Sequence, residues 1–170
     1  MERNTNKAYL LAAFLLIVSS TWLHGQDERV GQLLEQLKSA NPGVRAKAAK
    51  SLGEVGGAAK VAVPALGAAL ADRNLDVRYW AASALKKIGP EAKRAIPGLI
   101  SALKTFPGGN PELEGPERYF PDVRSVAAEA LGAIGPAAKE AIPALREATK
   151  DKNSDVQAAA TEALKRIEAK

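Results

Sequence analysis

The sequence predicts an all-α fold, a short right-handed α-solenoid of stacked helical hairpins. Three observations support this prediction: a series of short motifs returns with a period of about 33 residues, apolar residues within each period follow helical spacing, and aromatic residues make up only 5% of the chain. Abundant alanine and leucine with few aromatics favour closely packed helices over a sheet. A chain of 170 residues has the length of one domain.

The period is clearest in four motifs that share a central valine. These motifs are Val44-Arg45, Asp76-Val77-Arg78, Asp122-Val123-Arg124 and Asp155-Val156-Gln157. The step from the first valine to the second equals the step from the third to the fourth, and the middle step is longer, so extra residues separate the second unit from the third. Internal repetition at a fixed period of this size indicates a repeat array.

The second repeat shows how each unit builds a hairpin of helix A followed by helix B. One apolar face of helix A, with helical spacing, comprises Val77, Ala81, Leu85 and Ile88. We predict that Asp76, and likewise Asp122 and Asp155, is a helix N-cap whose carboxylate accepts backbone N–H groups. Gly89 follows the last apolar residue and suits the left-handed position that closes a helix. A short turn is then predicted to lead to Pro97 in the first turn of helix B.

The units of the chain follow from these motifs. We assign a half-repeat to residues 28–40, full repeats to 41–72, 73–105 and 122–151, an insertion to 106–121 and a terminal half-repeat to 152–170. The two half-repeats predict a complete domain of eight helices whose polar last helix, with Thr161 where earlier units have alanine, is a cap. Arginines recur at one helix A position, at Arg45, Arg78 and Arg124. We expect each arginine to pair with an aspartate of the adjoining repeat.

These motifs resemble the HEAT repeats of the phycobilisome-lyase-like class. The resemblance rests on the series Asp-Val-Arg, Ala-Leu, Ile-Gly-Pro and Ala-Ile-Pro-Ala-Leu, and it covers roughly residues 28–170. It implies a HEAT-like solenoid but no single function, since this repeat class occurs in lyase subunits and in scaffolds. The lyase subunits attach a tetrapyrrole to a carrier protein inside the cell and are generally longer, which argues against the same activity here. The ankyrin and tetratricopeptide signatures are missing.

The first 25 residues have the features of a signal peptide. Arg3 and Lys7 precede an apolar run of eleven residues, 8–18, and small residues follow up to Gly25. The run is shorter than the roughly 20 residues of a membrane-spanning helix. We therefore expect an exported protein, periplasmic or extracellular, cleaved after Gly25 or after Ser20. The alternative is a membrane anchor formed by residues 8–23.

The residues left after cleavage argue against an enzyme. Cleavage after Gly25 removes the only histidine and the only methionine, the chain has no cysteine, and the net charge becomes +4. Nucleophiles paired with histidine and the usual zinc sites are thereby excluded. We predict no catalytic residues, no metal site, no cofactor and no enzymatic activity.

The aromatic residues after Gly25 mark one candidate partner site. These residues are Tyr79, Trp80, Phe106, Tyr119 and Phe120. The first two stand at helix A positions occupied elsewhere by Ala46, Ser125 and Ala158 and by Lys47, Val126 and Ala159, and the other three flank the insertion. Aromatic anchors are common at binding hot spots. The alternative is that the insertion packs on the rings as a local lid.

Two further features suggest binding. The insertion is rich in proline, glycine and glutamate, and loops of this length are often functional. Lysines recur just before helix B, at Lys60, Lys93 and Lys139, where stacked repeats would align them about 10 Å apart. We refer to these three residues as the lysine ladder.

The sequence therefore predicts an exported interaction module or scaffold that binds another protein. One alternative is a binder of anionic polymers through the lysine ladder, and another is an accessory subunit of a lyase-type or other enzyme complex. Nucleic acid is disfavoured as a partner, because the net charge is modest and an exported protein rarely meets DNA. The oligomeric state stays open.

Overall fold

The computed structural model describes residues 27–105 and 122–169, and within them all regular structure is helical. The α-helices are α1 (27–36), α2 (Pro42–Val55), α3 (Val63–Ala69), α4 (Leu75–Ile88), α5 (Ile96–Thr105), α6 (Val123–Ile134), α7 (Ile142–Ala148) and α8 (Ser154–Glu168). Chain contacts divide the protein into two units, 1–32 and 33–170. The predicted signal segment and the predicted insertion lie outside the described residues.

The second unit is a stack of helical hairpins. Helices α2, α4, α6 and α8 are the A helices, and each contacts the next. Helices α3, α5 and α7 are the B helices, and each contacts both the next B helix and the next A helix. This architecture confirms the predicted solenoid. Stacking is required because a single hairpin cannot bury its own apolar face.

The link between helix A and helix B differs from the predicted short turn. Each link consists of seven residues in 3₁₀ turns, which we call a connector: Gly56–Ala62, Gly89–Ala95 and Gly135–Ala141. The backbone is non-helical at Ala59 and Ala138, inside the first and third connectors. The prediction of a short turn was wrong because alanine and lysine between the glycine and the next proline favour helical turns over most of the connector. The prolines do lie at the start of helix B, as predicted.

The glycines that end the A helices are required by backbone geometry. Gly56, Gly89 and Gly135 have φ of 65°, 68° and 73°, and no other described residue has positive φ. Each N–H donates to a leucine carbonyl four residues earlier, at Leu52, Leu85 or Leu131. A residue with a β-carbon pays a steric penalty at positive φ, so the predicted role of these glycines is confirmed.

The N-caps correct two predictions. Helices α4 and α8 are capped by Asn74 and Asn153, whose side chains accept backbone N–H groups, while Asp76 and Asp155 lie inside the first turn. Only Asp122 is an N-cap as predicted, and it caps α6. Asparagine caps as well as aspartate does, and an acid in the first turn also suits the helix dipole, so the motif alone misplaced the helix start.

Small residues set the spacing of the A helices. Alanines at one repeat position, Ala48, Ala81, Ala127 and Ala160, are completely buried. A β-carbon at Gly53 would lie 2.8 Å from the Ala84 Cα atom, and one at Gly132 would lie 2.9 Å from the Ala163 Cα atom. Real β-carbons do not approach other atoms so closely, so α2 meets α4, and α6 meets α8, by glycine-to-alanine contact.

Candidate interaction surface

The first repeated arginine, Arg45, connects the segment before α2 to the segment before α4. The Arg45 guanidinium donates from Nε and Nη2 to the two carboxylate oxygens of Asp72, both at 2.8 Å. Its Nη1 donates to the Ser39 and Ala40 carbonyls, just before α2. Asp72 Oδ1 also accepts the Asn74 N–H at the start of α4. The hydrogen bonds from Arg45 lower the pKa of Asp72, which favours its charged form.

The third repeated arginine forms a related arrangement at the start of α6, with two aspartates in place of one aspartate and two carbonyls. Arg124 contacts Asp151, which holds the repeat position of Asp72, and it also donates from Nη2 to Asp122 Oδ2 at 2.6 Å. Asp151 Oδ1 accepts the Asn153 N–H before α8, as Asp72 does for Asn74. The predicted pairing of Arg45 and Arg124 with an aspartate is found, but Asp72 and Asp151 end the arginine's own repeat instead of lying in the adjoining one. Arg124 donates three of its hydrogen bonds to the motif aspartate Asp122 and one to Asp151.

The second arginine lies at the junction that precedes the insertion. The Arg78 Nη1 donates to the Asp72 and Arg73 carbonyls, as Arg45 does to the equivalent carbonyls one repeat earlier. Thr105 holds the sequence position that is aspartate in the other two cases, Asp72 and Asp151. Burial lowers the pKa of Arg78 from its usual value. The pairing seen for Arg45 and Arg124 therefore cannot be repeated by Arg78 at that position, where no carboxylate is present.

Tyr79 and Trp80 form a contact pair on the outer side of α4. Their ring centroids lie 5.0 Å apart with an interplanar angle of 77°, which is edge-to-face geometry. The Lys50 ammonium of α2 lies 4.8 Å from the centroid of the Trp80 ring, within cation–π range. Both rings are half-buried. The Trp80 ring therefore lies at the groove between α2 and α4, which we call the first groove, and Tyr79 packs on its edge.

The equivalent groove between α6 and α8 is open, and we call it the last groove. It encloses about 480 Å³, and its lining includes Glu129, Gly132, Ala158 and Ala159. Ala158 and Ala159 are the repeat equivalents of Tyr79 and Trp80. The last groove thus has two alanines at the positions where α4 has the aromatic pair. The lining also includes Lys86, whose ammonium lies 2.8 Å from Glu129 Oε2.

The lysine ladder lies where the sequence placed it. Lys60, Lys93 and Lys139 are exposed, and each is the fifth residue of its connector. Consecutive connectors contact each other. Glu91 and Glu140 are exposed on the same connectors, so acids interrupt the row. The three predicted lysines are therefore side by side, and their binding role stays a prediction.

The other predicted site residues lie outside the described chain. Phe106, Tyr119 and Phe120 belong to residues 106–121, so their relation to Tyr79 and Trp80 stays a prediction. Across residues 27–105 and 122–169, no three acidic or histidine side chains group as metal ligands would. The helices in those ranges are all too short or too polar to cross a bilayer.

Sequence reasoning missed the last groove and the cation beside Trp80. Lys50 and Trp80 belong to different repeats, far apart along the chain, so no local motif joins them. The signal was present in the repeat alignment, where alanine replaces an aromatic residue at a groove position. Only the stacking of neighbouring A helices shows that this position lines a groove.

Solved structures share this fold. An engineered protein is 24% identical with a TM-score of 0.62, and the match covers 81% of this chain and 62% of that one. A designed armadillo repeat protein in complex with the peptide (KR)4 is 19% identical with a TM-score of 0.60, covering 79% of this chain and 62% of that one. The chain thus spans less than two thirds of the length of either designed protein.

A natural complex is also similar. The structure of the complex of CpcE and CpcF of phycocyanin lyase from Nostoc sp. PCC7120 matches at 26% identity and a TM-score of 0.53, covering 81% of this chain and 77% of that one. No protein with a curated description matches in sequence. The family model for HEAT repeats matches residues 30–108 and 116–170, which is most of the chain. The predicted resemblance to HEAT repeats of the phycobilisome-lyase-like class is thereby confirmed, and the chain belongs to the HEAT-repeat family.

Proposed function

We propose that this chain is an exported interaction module that binds a partner protein through the outer surface of its A helices. The observation that carries the proposal is the aromatic pair Tyr79 and Trp80. The two rings stand at positions that hold smaller or more flexible side chains in the other repeats, so the solenoid itself does not require them. Large aromatic side chains that the fold does not need are typical of binding hot spots.

The fold is suited to this role. HEAT-repeat solenoids generally serve as protein-interaction scaffolds, and among similar structures one designed protein binds a peptide while CpcE and CpcF bind each other. The A helices are held in place by buried leucines and alanines and by the arginine–aspartate contacts. A preformed surface of this kind loses little conformational entropy on binding.

Export rests on the composition of residues 1–25 alone. The expected product starts at Gln26 and is found in the periplasm or outside the cell. The intact mass of the protein recovered from each cell fraction checks this. A full-length mass in the membrane fraction would instead support an anchor formed by residues 8–23.

The binding proposal is tested by affinity capture from the native envelope fraction. Trp80→Ala removes the aromatic anchor, and Val61→Ala is the matched control, since Val61 is the large hydrophobic residue exposed at 63% on the first connector. We expect a partner that is captured by the unchanged protein and by the Val61 variant and lost with the Trp80 variant. Equal capture by all three proteins would exclude Trp80 from the binding site.

Anionic polymers are the second candidate ligand, favoured by the exposed lysine ladder. Replacing Lys60, Lys93 and Lys139 by glutamine would then abolish retention on a polyphosphate resin. Binding through such a row weakens steeply with salt, because exposed charges are screened, whereas binding through aromatic rings does not.

An accessory role in a lyase-type complex is the third candidate, favoured by the likeness to the CpcE and CpcF complex. A tetrapyrrole absorbance band on the purified protein would support it.

A further inference from the structure

The last groove combines a small-residue floor with a charged rim. Its floor is formed by Gly132 of α6 and by Ala158 and Ala159 of α8. Its volume of about 480 Å³ lies within the roughly 300–1,000 Å³ of ordinary ligand pockets. The floor is apolar and rigid, because Gly132 and Ala163 fix the approach of the two helices.

The first groove shows what this shape holds when it is filled. The Trp80 ring of α4 lies under the Lys50 ammonium of α2, and Tyr79 packs edge-to-face on that ring. The repeat equivalents in the last groove are Ala158, Ala159 and Glu129. The last groove therefore has the same packing of two A helices but no aromatic rings. It has the Glu129 carboxylate where the first groove has the Lys50 ammonium.

The rim charges of the last groove favour a cationic ligand. Three carboxylates line it, from Glu129, Asp155 and Glu162, against the two cations of Lys86 and Arg166. Lys86 and Arg166 already form ion pairs with Glu129 and Glu162. Asp155 is exposed, and within residues 27–105 and 122–169 its carboxylate forms no ion pair or hydrogen bond. One carboxylate at the groove is thus available to an incoming cation.

We propose that the last groove binds a partner segment in which an aromatic side chain lies next to lysine or arginine. The ring would fill the space above Ala158 and Ala159, as Trp80 does in the first groove. The neighbouring cation would pair with Asp155, with Glu129 and Glu162 adding negative potential. A ring of this size buries about 150–250 Å² and is the main source of affinity, while the cation adds selectivity. The inference rests on the proposed function only in that the ligand is a protein segment.

The test uses three labelled synthetic peptides and fluorescence anisotropy on the full chain. One peptide alternates lysine with tryptophan, the second alternates glutamate with tryptophan, and the third alternates lysine with alanine. The variant Ala159→Trp fills the groove, and Ala137→Trp is its control, since Ala137 is exposed on the third connector. Asp155→Asn removes the free carboxylate and leaves the groove empty. Circular dichroism checks that each variant keeps its helical content.

We expect the lysine–tryptophan peptide to bind tighter than both other peptides. Ala159→Trp should weaken its binding by about tenfold or more, and Asp155→Asn by about threefold, while Ala137→Trp leaves it unchanged. If Ala159→Trp does not fold, two other results test the inference: the loss of peptide affinity caused by Asp155→Asn, and the order of affinity of the three peptides. The inference is overturned if no peptide binds, if the glutamate–tryptophan peptide binds equally well, or if binding survives a folded Ala159→Trp. Those results leave partner capture through Trp80 unaffected, so the two proposals fail separately.

Discussion

The first and last grooves have the same helical frame but different contents. In both, a glycine of one A helix meets an alanine of the next, with Gly53 against Ala84 and Gly132 against Ala163. The first groove holds the Trp80 ring, which contacts Lys50 and Tyr79, whereas the last groove has alanines at the positions of Tyr79 and Trp80 and stays open. The spacing of the helices and the chemistry of the outer surface are therefore set by different residues.

The contact between α4 and α6 differs from the helix contacts in the first and last grooves. Lys86 stands at the position of Gly53 and Gly132, and its ammonium binds Glu129 on the next helix instead of leaving room for close backbone contact. Thr105 stands at the position of Asp72 and Asp151. The insertion thus follows the repeat that has neither the glycine nor the aspartate found at these positions in the repeats before and after it.

The largest expected effect on stability comes from disrupting the close glycine-to-alanine packing that both grooves share. Gly53→Ala and Gly132→Ala should each lower the free energy of unfolding by about 1–3 kcal/mol, because the new methyl overlaps Ala84 or Ala163. Urea denaturation measures the change. Gly67→Ala is the control, since its methyl would make an ordinary 3.6 Å contact with Ala95, and it should not destabilise. A large effect at only one of the two glycines would mean that the grooves do not share a frame.

The ends of the A helices should respond next. Gly56→Ala should lower the free energy of unfolding by about 1–2 kcal/mol, because the backbone has positive φ there and a β-carbon is strained. Gly57→Ala, one residue later, is the control, since Gly57 has no positive φ and open space around it. Thermal unfolding followed by circular dichroism compares the two variants. Equal stability of the two would contradict the role given to the glycine.

A smaller effect is expected from the arginine–aspartate contacts, and it depends on pH. The pKa of Asp72 is lowered in the folded state by its hydrogen bonds from Arg45, so the charged carboxylate stabilises the fold. This contribution is present above the unfolded pKa of about 3.9 and is lost as pH falls through the lower folded value. Asp72→Asn should cost about 1 kcal/mol at neutral pH and flatten the acid dependence.

The matched variant for that experiment is Asp76→Asn. Asp76 lies in the first turn of α4, and within the described residues no ion pair involves it. It should change the acid dependence much less than Asp72→Asn does. Unfolding by urea at several pH values between 3 and 7 checks both. If the two variants had the same pH profile, the contact between Arg45 and Asp72 would not contribute to stability.

The smallest expected effect on stability concerns the contact between Lys50 and Trp80, which the first groove has and the last groove does not. Lys50→Met removes the ammonium over the Trp80 ring and should cost about 0.5–1 kcal/mol, the usual size of an exposed cation–π contact. Lys47→Met, on the same helix and also exposed, should change stability less. Urea denaturation and the tryptophan emission maximum report the difference. An unchanged emission maximum in the Lys50 variant would contradict the contact.

Sequence alone predicted the features that repeat with the period. The apolar face from Val77 to Ile88 and the closing Gly89 are local patterns, and the structure confirms them. The helix starts were misplaced, because Asn74 and Asp76 are both acceptable near an N-terminus and only backbone geometry distinguishes them. Asp72 was missed as the partner of Arg45, since it lies between α3 and α4, outside the motif.

The side chains that fill or line the grooves could not be predicted from the sequence, for a different reason. Tyr79 and Trp80 were identified because they depart from the repeat, but their occupied groove depends on Lys50, in the preceding repeat. The last groove is marked only by alanines, which have no local signature of binding. Its shape and charge arise from α6 and α8 together, so they emerge only when the helices are stacked.

We propose that partners contact the outer surface of the A helices. Site-specific photo-crosslinking in the native cell tests this, with a benzophenone amino acid placed at Ser83, three residues after Trp80 on α4, or at Lys93 on the second connector. We predict adducts of one partner protein from Ser83 and none from Lys93. Adducts from Lys93 alone, or none from Ser83, would contradict the account and direct attention to the lysine ladder.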